Sequence, residues 1–199
     1  MKTSNDSASC RHCRLPIQAC QCSALFQRTL LQKNLLQESL HELPIEIELC
    51  THPQEWQKDT NTGNWLQLQS AQIHRHRWHR KELQTPPANA VLLYPGEDAI
   101  ELSEYAKDHP IDSLWVVDAS WQLSHKMIKQ SPWLQSMPKV MLDIEKLPAS
   151  QYQLRRNQKS LCTYESVVYA LQALSSNSDN LHTMWDIFHT MQHAYLKSR

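Results

Sequence analysis

The chain has 199 residues, with 20 basic and 20 acidic side chains and no net formal charge. That suits one α/β domain with a small appendage and excludes a protein that holds nucleic acid through bulk charge alone. Gly63 and Gly96 are the only glycines, so a glycine-rich phosphate loop and a dinucleotide-binding GxGxxG turn are both excluded.

No apolar run reaches the length of a membrane span, and the start, Met1 to Ser9, is polar rather than charged and then apolar. These features predict a cytoplasmic protein with no membrane partner. Cys10, Cys13, Cys20 and Cys22 follow at C-x2-C-x6-C-x-C spacing. In a reducing compartment four sulfurs on two short turns suit a tetrahedral Zn²⁺ better than disulfides, although a redox pair or unligated thiols use the same residues. Four cysteine ligands leave no open coordination position, so such a metal is structural. Residues 1–24 therefore read as a zinc-binding knuckle and 25–199 as the main domain. Cys50 and Cys162 read as small apolar fillers.

A leucine-rich stretch from Leu25 to Leu43 predicts a helix ended by Pro44. Ile45 to Leu49 alternates like a strand. The polar segment Asp59 to Asn64 predicts a turn with Gly63 at positive φ. From His74 to Lys81 every residue except Trp78 is Arg, Lys or His. This is either an RNA-contacting strand or edge, with Arg and Lys on phosphates and the aromatic stacking on an unpaired base, or a solvated basic face.

After the Pro86-Pro87 break, Val91 to Tyr94 predicts a buried strand. Asp98 with Glu101 predicts a capping-box start to a helix carrying Leu102, Tyr105 and Ala106 on one face. Leu114 to Val117 is a second buried strand, and the residues after Trp121 carry helical spacing, so Asp118 and Ser120 fall on the turn between them. Open α/β sheets bind ligands outside the carboxyl ends of their strands, where the next helix offers free N–H groups. Asp118 and Ser120 are thus site candidates, or else plain helix caps. Lys139 to Leu142 is a further short strand. Arg155 and Arg156 lie in a basic loop, Thr163 is a natural N-cap for the next helix, and the stripe Leu181, Met184, Trp185, Phe188, Met191 and Tyr195 on the last helix reads as core or a dimer face. Alternating strands and helices predict a mostly parallel sheet flanked by helices.

Several blocks together resemble one family. They are the cysteine knuckle, His52-x-x-Glu55 with Asn61-Thr62-Gly63, Tyr94-Pro95-Gly96-Glu97-Asp98, Asp118-Ala119-Ser120-Trp121, and Leu154-Arg155-Arg156 followed by Leu161-Cys162-Thr163-Tyr164-Glu165. In this order they resemble the DTW-domain family, tRNA-uridine aminocarboxypropyltransferases related to the SPOUT superfamily. The resemblance implies a SPOUT-like, knotted α/β fold. It also implies transfer of the 3-amino-3-carboxypropyl group of S-adenosylmethionine to N3 of a tRNA uridine, with release of methylthioadenosine. By the same resemblance Asp118 is the catalytic residue, and Tyr94, Pro95, Ser120, Trp121, Leu161, Cys162 and Thr163 are cofactor contacts. Arg77, Arg80, Lys126, Arg155 and Arg156 would meet tRNA. The family's Asp-x-Thr-Trp has Ser120 here in place of threonine, and Cys162 stands where serine is usual. A SPOUT-like methyltransferase and a non-catalytic zinc-knuckle RNA-binding protein are the alternatives.

Overall fold

A computed structural model describes residues 9–25, 42–82, 85–154, 160–175 and 178–199. Its centre is a six-stranded sheet of β1 (Glu46–Thr51), β2 (Ile73–Arg77), β3 (Ala90–Leu93), β4 (Ile100–Glu101), β5 (Ser113–Asp118) and β6 (Lys139–Met141). The spatial order is β2-β1-β5-β3-β6-β4, and every neighbouring pair is parallel. The helices are α1 (Pro53–Trp56), α2 (Thr62–Gln67), α3 (Leu102–Asp108), α4 (Trp121–Lys129), α5 (Pro132–Ser136), α6 (Thr163–Leu174) and α7 (Ser178–Lys197).

Side-chain alternation along each strand sorts the residues into two cores. On one face Ile47, Leu49, Val91, Leu114, Val116 and Val140 join Trp65 and Leu66 of α2, Leu102 of α3, Val167, Val168 and Leu171 of α6 and the α7 stripe. Cys13 and Leu15 of the cysteine segment are fully buried in the same cluster. On the other face Cys50, Leu92 and Trp115 pack under Met127 of α4 and Trp133 and Leu134 of α5. β5 is covered on both faces, which is why Leu114 to Val117 is a continuous apolar run. The two glutamates of β1 are explained by its neighbour: Glu46 meets His74 at 2.9 Å, and Glu48 meets His76, both across the β1–β2 pair.

Several expectations change. Gly63 has no positive φ, and the polar segment before it runs straight into α2, capped by the Asn61 side chain accepting from Asn64 N–H at 2.9 Å. Asp98 does not cap α3. Glu101 does, accepting from Glu104 N–H, while Asp98 pairs with Lys139 at 2.5 Å. The α7 stripe is core, with Met184, Phe188 and Met191 fully buried. The predicted helix from Leu25 to Leu43 falls mostly outside the described residues. Among the described residues no helix is long and apolar enough to cross a membrane.

Candidate functional site

β5 ends at Asp118, and its partner in register across the sheet is Thr51, the last residue of β1. The Asp118 carboxylate is 2 % exposed. Thr51 Oγ1 donates to Oδ2 at 2.9 Å, Asn61 Nδ2 donates to Oδ1 at 3.1 Å and to Oδ2 at 2.9 Å, and Thr163 Oγ1 donates to Oδ1 at 2.8 Å. A carboxylate has about four lone-pair sites, and these bonds take them all. Asn61 is fixed in that role because its own oxygen accepts from Asn64 N–H and from Arg75 Nη2 at 3.1 Å, which turns its NH₂ towards Asp118.

Arg75 completes the corner. Its side chain is 2 % exposed and lies 3.8 Å from Asp118 Oδ2, with its guanidinium over the Trp56 ring at 4.3 Å. It donates to Thr51 Oγ1 and to Asn64 Oδ1, both at 3.1 Å. Burial pushes the Arg75 pKa down, and the Asp118 charge opposes that. Gly63 makes room for the carboxylate: a Cβ there would stand 2.8 Å from Asp118 Oδ2. The glycine is needed for close approach and not for its backbone freedom.

The corner opens into a cavity of about 660 Å³ at the carboxyl ends of β3, β5 and β6. Small-molecule sites typically span about 300–1,000 Å³, and this edge is where open α/β sheets place them. Leu93, Leu142, Ile144, Leu154 and Leu161 give an apolar wall. Glu55, Lys58, Thr60, Asn61, Thr62, Asp118 and Thr163 give a polar one. Lys58 and Glu55 pair at 2.6 Å. Tyr94 and Trp121 stack at 5.5 Å with their planes 5° apart. The Tyr94 hydroxyl is buried, out of reach of the cavity, and has no hydrogen-bond partner among the described residues.

Of the residues singled out by sequence, Tyr94, Pro95, Asp118, Ser120, Trp121, Leu161 and Thr163 all line this cavity. Cys162 does not. It is 2 % exposed and is the N-cap of α6, sharing a capping box with Glu165, and burial pushes its thiol pKa up. Thr163 is therefore the first residue of the helix and not its cap, which frees its hydroxyl for Asp118. Neither Asp118 nor Ser120 caps α4 through its side chain: Ser120 occupies the N-cap without a side-chain hydrogen bond. The basic run divides. Arg75 belongs to the corner, and Trp78 is buried with its indole N–H on Ser131 Oγ at 2.9 Å, so it offers no stacking face. Arg77, Arg80 and Lys126 are exposed, and Arg155 and Arg156 lie outside the described residues. Cys50 is buried and its thiol is pushed up to about 12, chiefly by burial, which agrees with a filler. Sequence reasoning did not single out Glu55, Lys58, Thr60 or Arg75 as site residues. For Glu55 the signal was present in the His52-x-x-Glu55 block: His52 caps α1, with Nδ1 accepting from Gln54 N–H at 3.1 Å, and sets Glu55 at the cavity.

The four amino-terminal cysteines form a second cluster, with every pair of sulfurs within 4.8 Å. Four sulfurs at about 2.3 Å from a tetrahedral ion lie roughly 3.8 Å apart. Cys10 and Cys22 are 3.8 Å apart, and Cys13 and Cys20 are 3.7 Å apart, so the set can hold one such ion. Hydrogen bonding from Cys22 draws the Cys13 thiol down to about 5, and that interaction pushes Cys22 up. Four thiolates crowded together need a cation to ionise in concert. α2 ties this cluster to the corner, because Asn64 Nδ2 donates to His12 O at 2.9 Å and Trp65 Nε1 donates to Cys13 O at 3.2 Å.

The DTW domain matches residues 7–196 of the chain. A protein of Drosophila melanogaster, tRNA-uridine aminocarboxypropyltransferase 2, is 24% identical over 202 residues, covering 94% of this chain and 74% of that protein. No solved structure matches.

Proposed function

The chain belongs to the DTW-domain family, and from that premise we propose that it transfers the 3-amino-3-carboxypropyl group of S-adenosylmethionine to N3 of a uridine in tRNA. The observation that carries the proposal is the Asp118 corner opening into a half-apolar cavity of about 660 Å³. The donor fits this space. A nucleoside and an alkyl chain suit the apolar lining residues, while an amino acid end suits the polar ones. Tyr94, Pro95, Ser120, Leu161 and Thr163 would hold it through loop backbone and hydroxyls, a SPOUT-like mode that needs no glycine-rich turn. Bound there, S-adenosylmethionine supplies a carbon made electrophilic by the adjacent sulfonium.

The chain's own residues must then present a uridine nitrogen in line and deal with its proton. N3 of uridine is a poor nucleophile until that proton leaves. Asp118 acts first by position: it fixes Asn61 and Thr163 at the cavity wall. Thr163 is the least buried of its donors, so a rotation of that hydroxyl would free Oδ1 to accept from N3–H. Arg77, Arg80 and Lys126, with Arg155 and Arg156 outside the described residues, would contact tRNA phosphates. Cys10, Cys13, Cys20 and Cys22 would hold a structural zinc.

Incubating the protein with tRNA and S-adenosylmethionine, then digesting the tRNA for mass spectrometry, tests this. A uridine heavier by one aminocarboxypropyl group, together with methylthioadenosine, is the expected result. A methylated base with S-adenosylhomocysteine, or tRNA bound but unmodified, would overturn it.

A further inference from the structure

α4 leaves the cavity mouth with one open face. Trp121, Gln122, His125, Lys126 and Lys129 are exposed along it, while Ser124 and Met127 are buried on the other side. The helix contains no acidic residue. At 1.5 Å rise per residue, Lys126 stands about 7.5 Å and Lys129 about 12 Å beyond Trp121 along the axis. Trp121 is 66 % exposed although one face of its indole lies on Tyr94, so the other face is open.

An indole followed by cations is the arrangement that binds an unpaired strand, with a base stacked on the ring and phosphates on the lysines. The reaction proposed above requires such a strand, because N3 of uridine is engaged whenever that base is paired. We infer that the exposed face of α4 binds an unpaired loop of the tRNA, Trp121 stacking on the target uridine at the cavity mouth and Lys126 and Lys129 meeting phosphates on one side of it. This rests on the proposed transfer to tRNA. It gives Trp121 to the base, whereas the family resemblance assigns it to the cofactor.

The test separates the two ligands. Binding of tRNA is measured by filter retention across a salt series, and binding of S-adenosylmethionine by calorimetry, for the parent protein and for Trp121→Ala, Trp121→Phe and Lys126→Gln/Lys129→Gln. Trp121 is exposed enough that its loss should leave the fold intact. Trp121→Ala is expected to weaken tRNA binding about 10-fold with S-adenosylmethionine affinity held within about twofold, and Trp121→Phe to recover most of the loss. The double lysine variant should lower the slope of log K against log salt by about 1.4, near 0.7 per phosphate of a single strand. An RNA hairpin with an unpaired uridine in its loop should compete, and a blunt duplex should not. Unchanged tRNA affinity, or loss of S-adenosylmethionine binding alone, overturns the inference while leaving the transfer reaction standing. A parent protein that binds S-adenosylmethionine but no tRNA overturns both.

Discussion

The cysteine knuckle and the Asp118 corner share the first turn of α2, where Asn64 touches both, and are built in opposite ways. The knuckle draws its four ligands from residues 10–22, with its longest sulfur pair only 12 positions apart. The corner gathers Thr51, Asn61 and Thr163 onto Asp118 from 67, 57 and 45 positions away. Closing a short loop costs little chain entropy, so the knuckle can form locally, and a bound ion would add to the hold of Cys13 and Leu15 on the main core. The corner has its loops closed by the parallel sheet and owes its geometry to β1, β2 and β5. One cluster would therefore be vulnerable through loss of a bound zinc, the other through its packing.

Removing metal should show the largest effect. A chelator is expected to strip about one equivalent of zinc and to lower the melting temperature by more than about 10 °C, measured by calorimetry. Loss of knuckle contacts at His12 and Cys13 should then reach α2. Asp118→Ala comes next, because it leaves the buried Arg75 charge without its partner; a cost of about 3–5 kcal/mol in urea unfolding is expected. Gly63→Ala is expected to cost about 1–3 kcal/mol, since its Cβ would press on a carboxylate that four hydrogen bonds hold in place. The smallest effect lies away from both clusters. Glu48 hydrogen-bonds His76 and raises its pKa in the folded state. The stabilisation is thus fully present below the ordinary histidine value, about 6.5, and is lost as pH rises through the raised folded value. In Glu48→Gln that pH dependence of stability should flatten.

The difference between the two clusters also explains what could be read from the residues. Spacing alone pointed to Cys10, Cys13, Cys20 and Cys22, because ligand geometry is local there. The strand ending at Asp118 was legible as an apolar run bounded by a polar turn. Its partners were not, since nothing in a one-dimensional pattern says that Thr51 lies in register with Asp118 or that Arg75, inside a basic run, turns inward. The same run misled about Trp78, which is held under α5 by Ser131. Gly63 was assigned to a turn by its composition, whereas the sheet above it demands a missing Cβ. Thr163 and Cys162 were displaced by one position at the start of α6, enough to exchange a cap for a ligand of Asp118.

Under the proposed function, the Asp118 corner is where an aminocarboxypropyl group is passed to tRNA. Single-turnover release of methylthioadenosine, with tRNA and excess protein, compares the parent chain with Asp118→Asn, which keeps the shape of the side chain and removes its charge. tRNA-dependent release is expected in the parent chain and a fall of at least about 100-fold in the variant, the range typical of losing a positioned proton-transfer group. Equal rates in the two proteins, or release of S-adenosylhomocysteine instead, would contradict it.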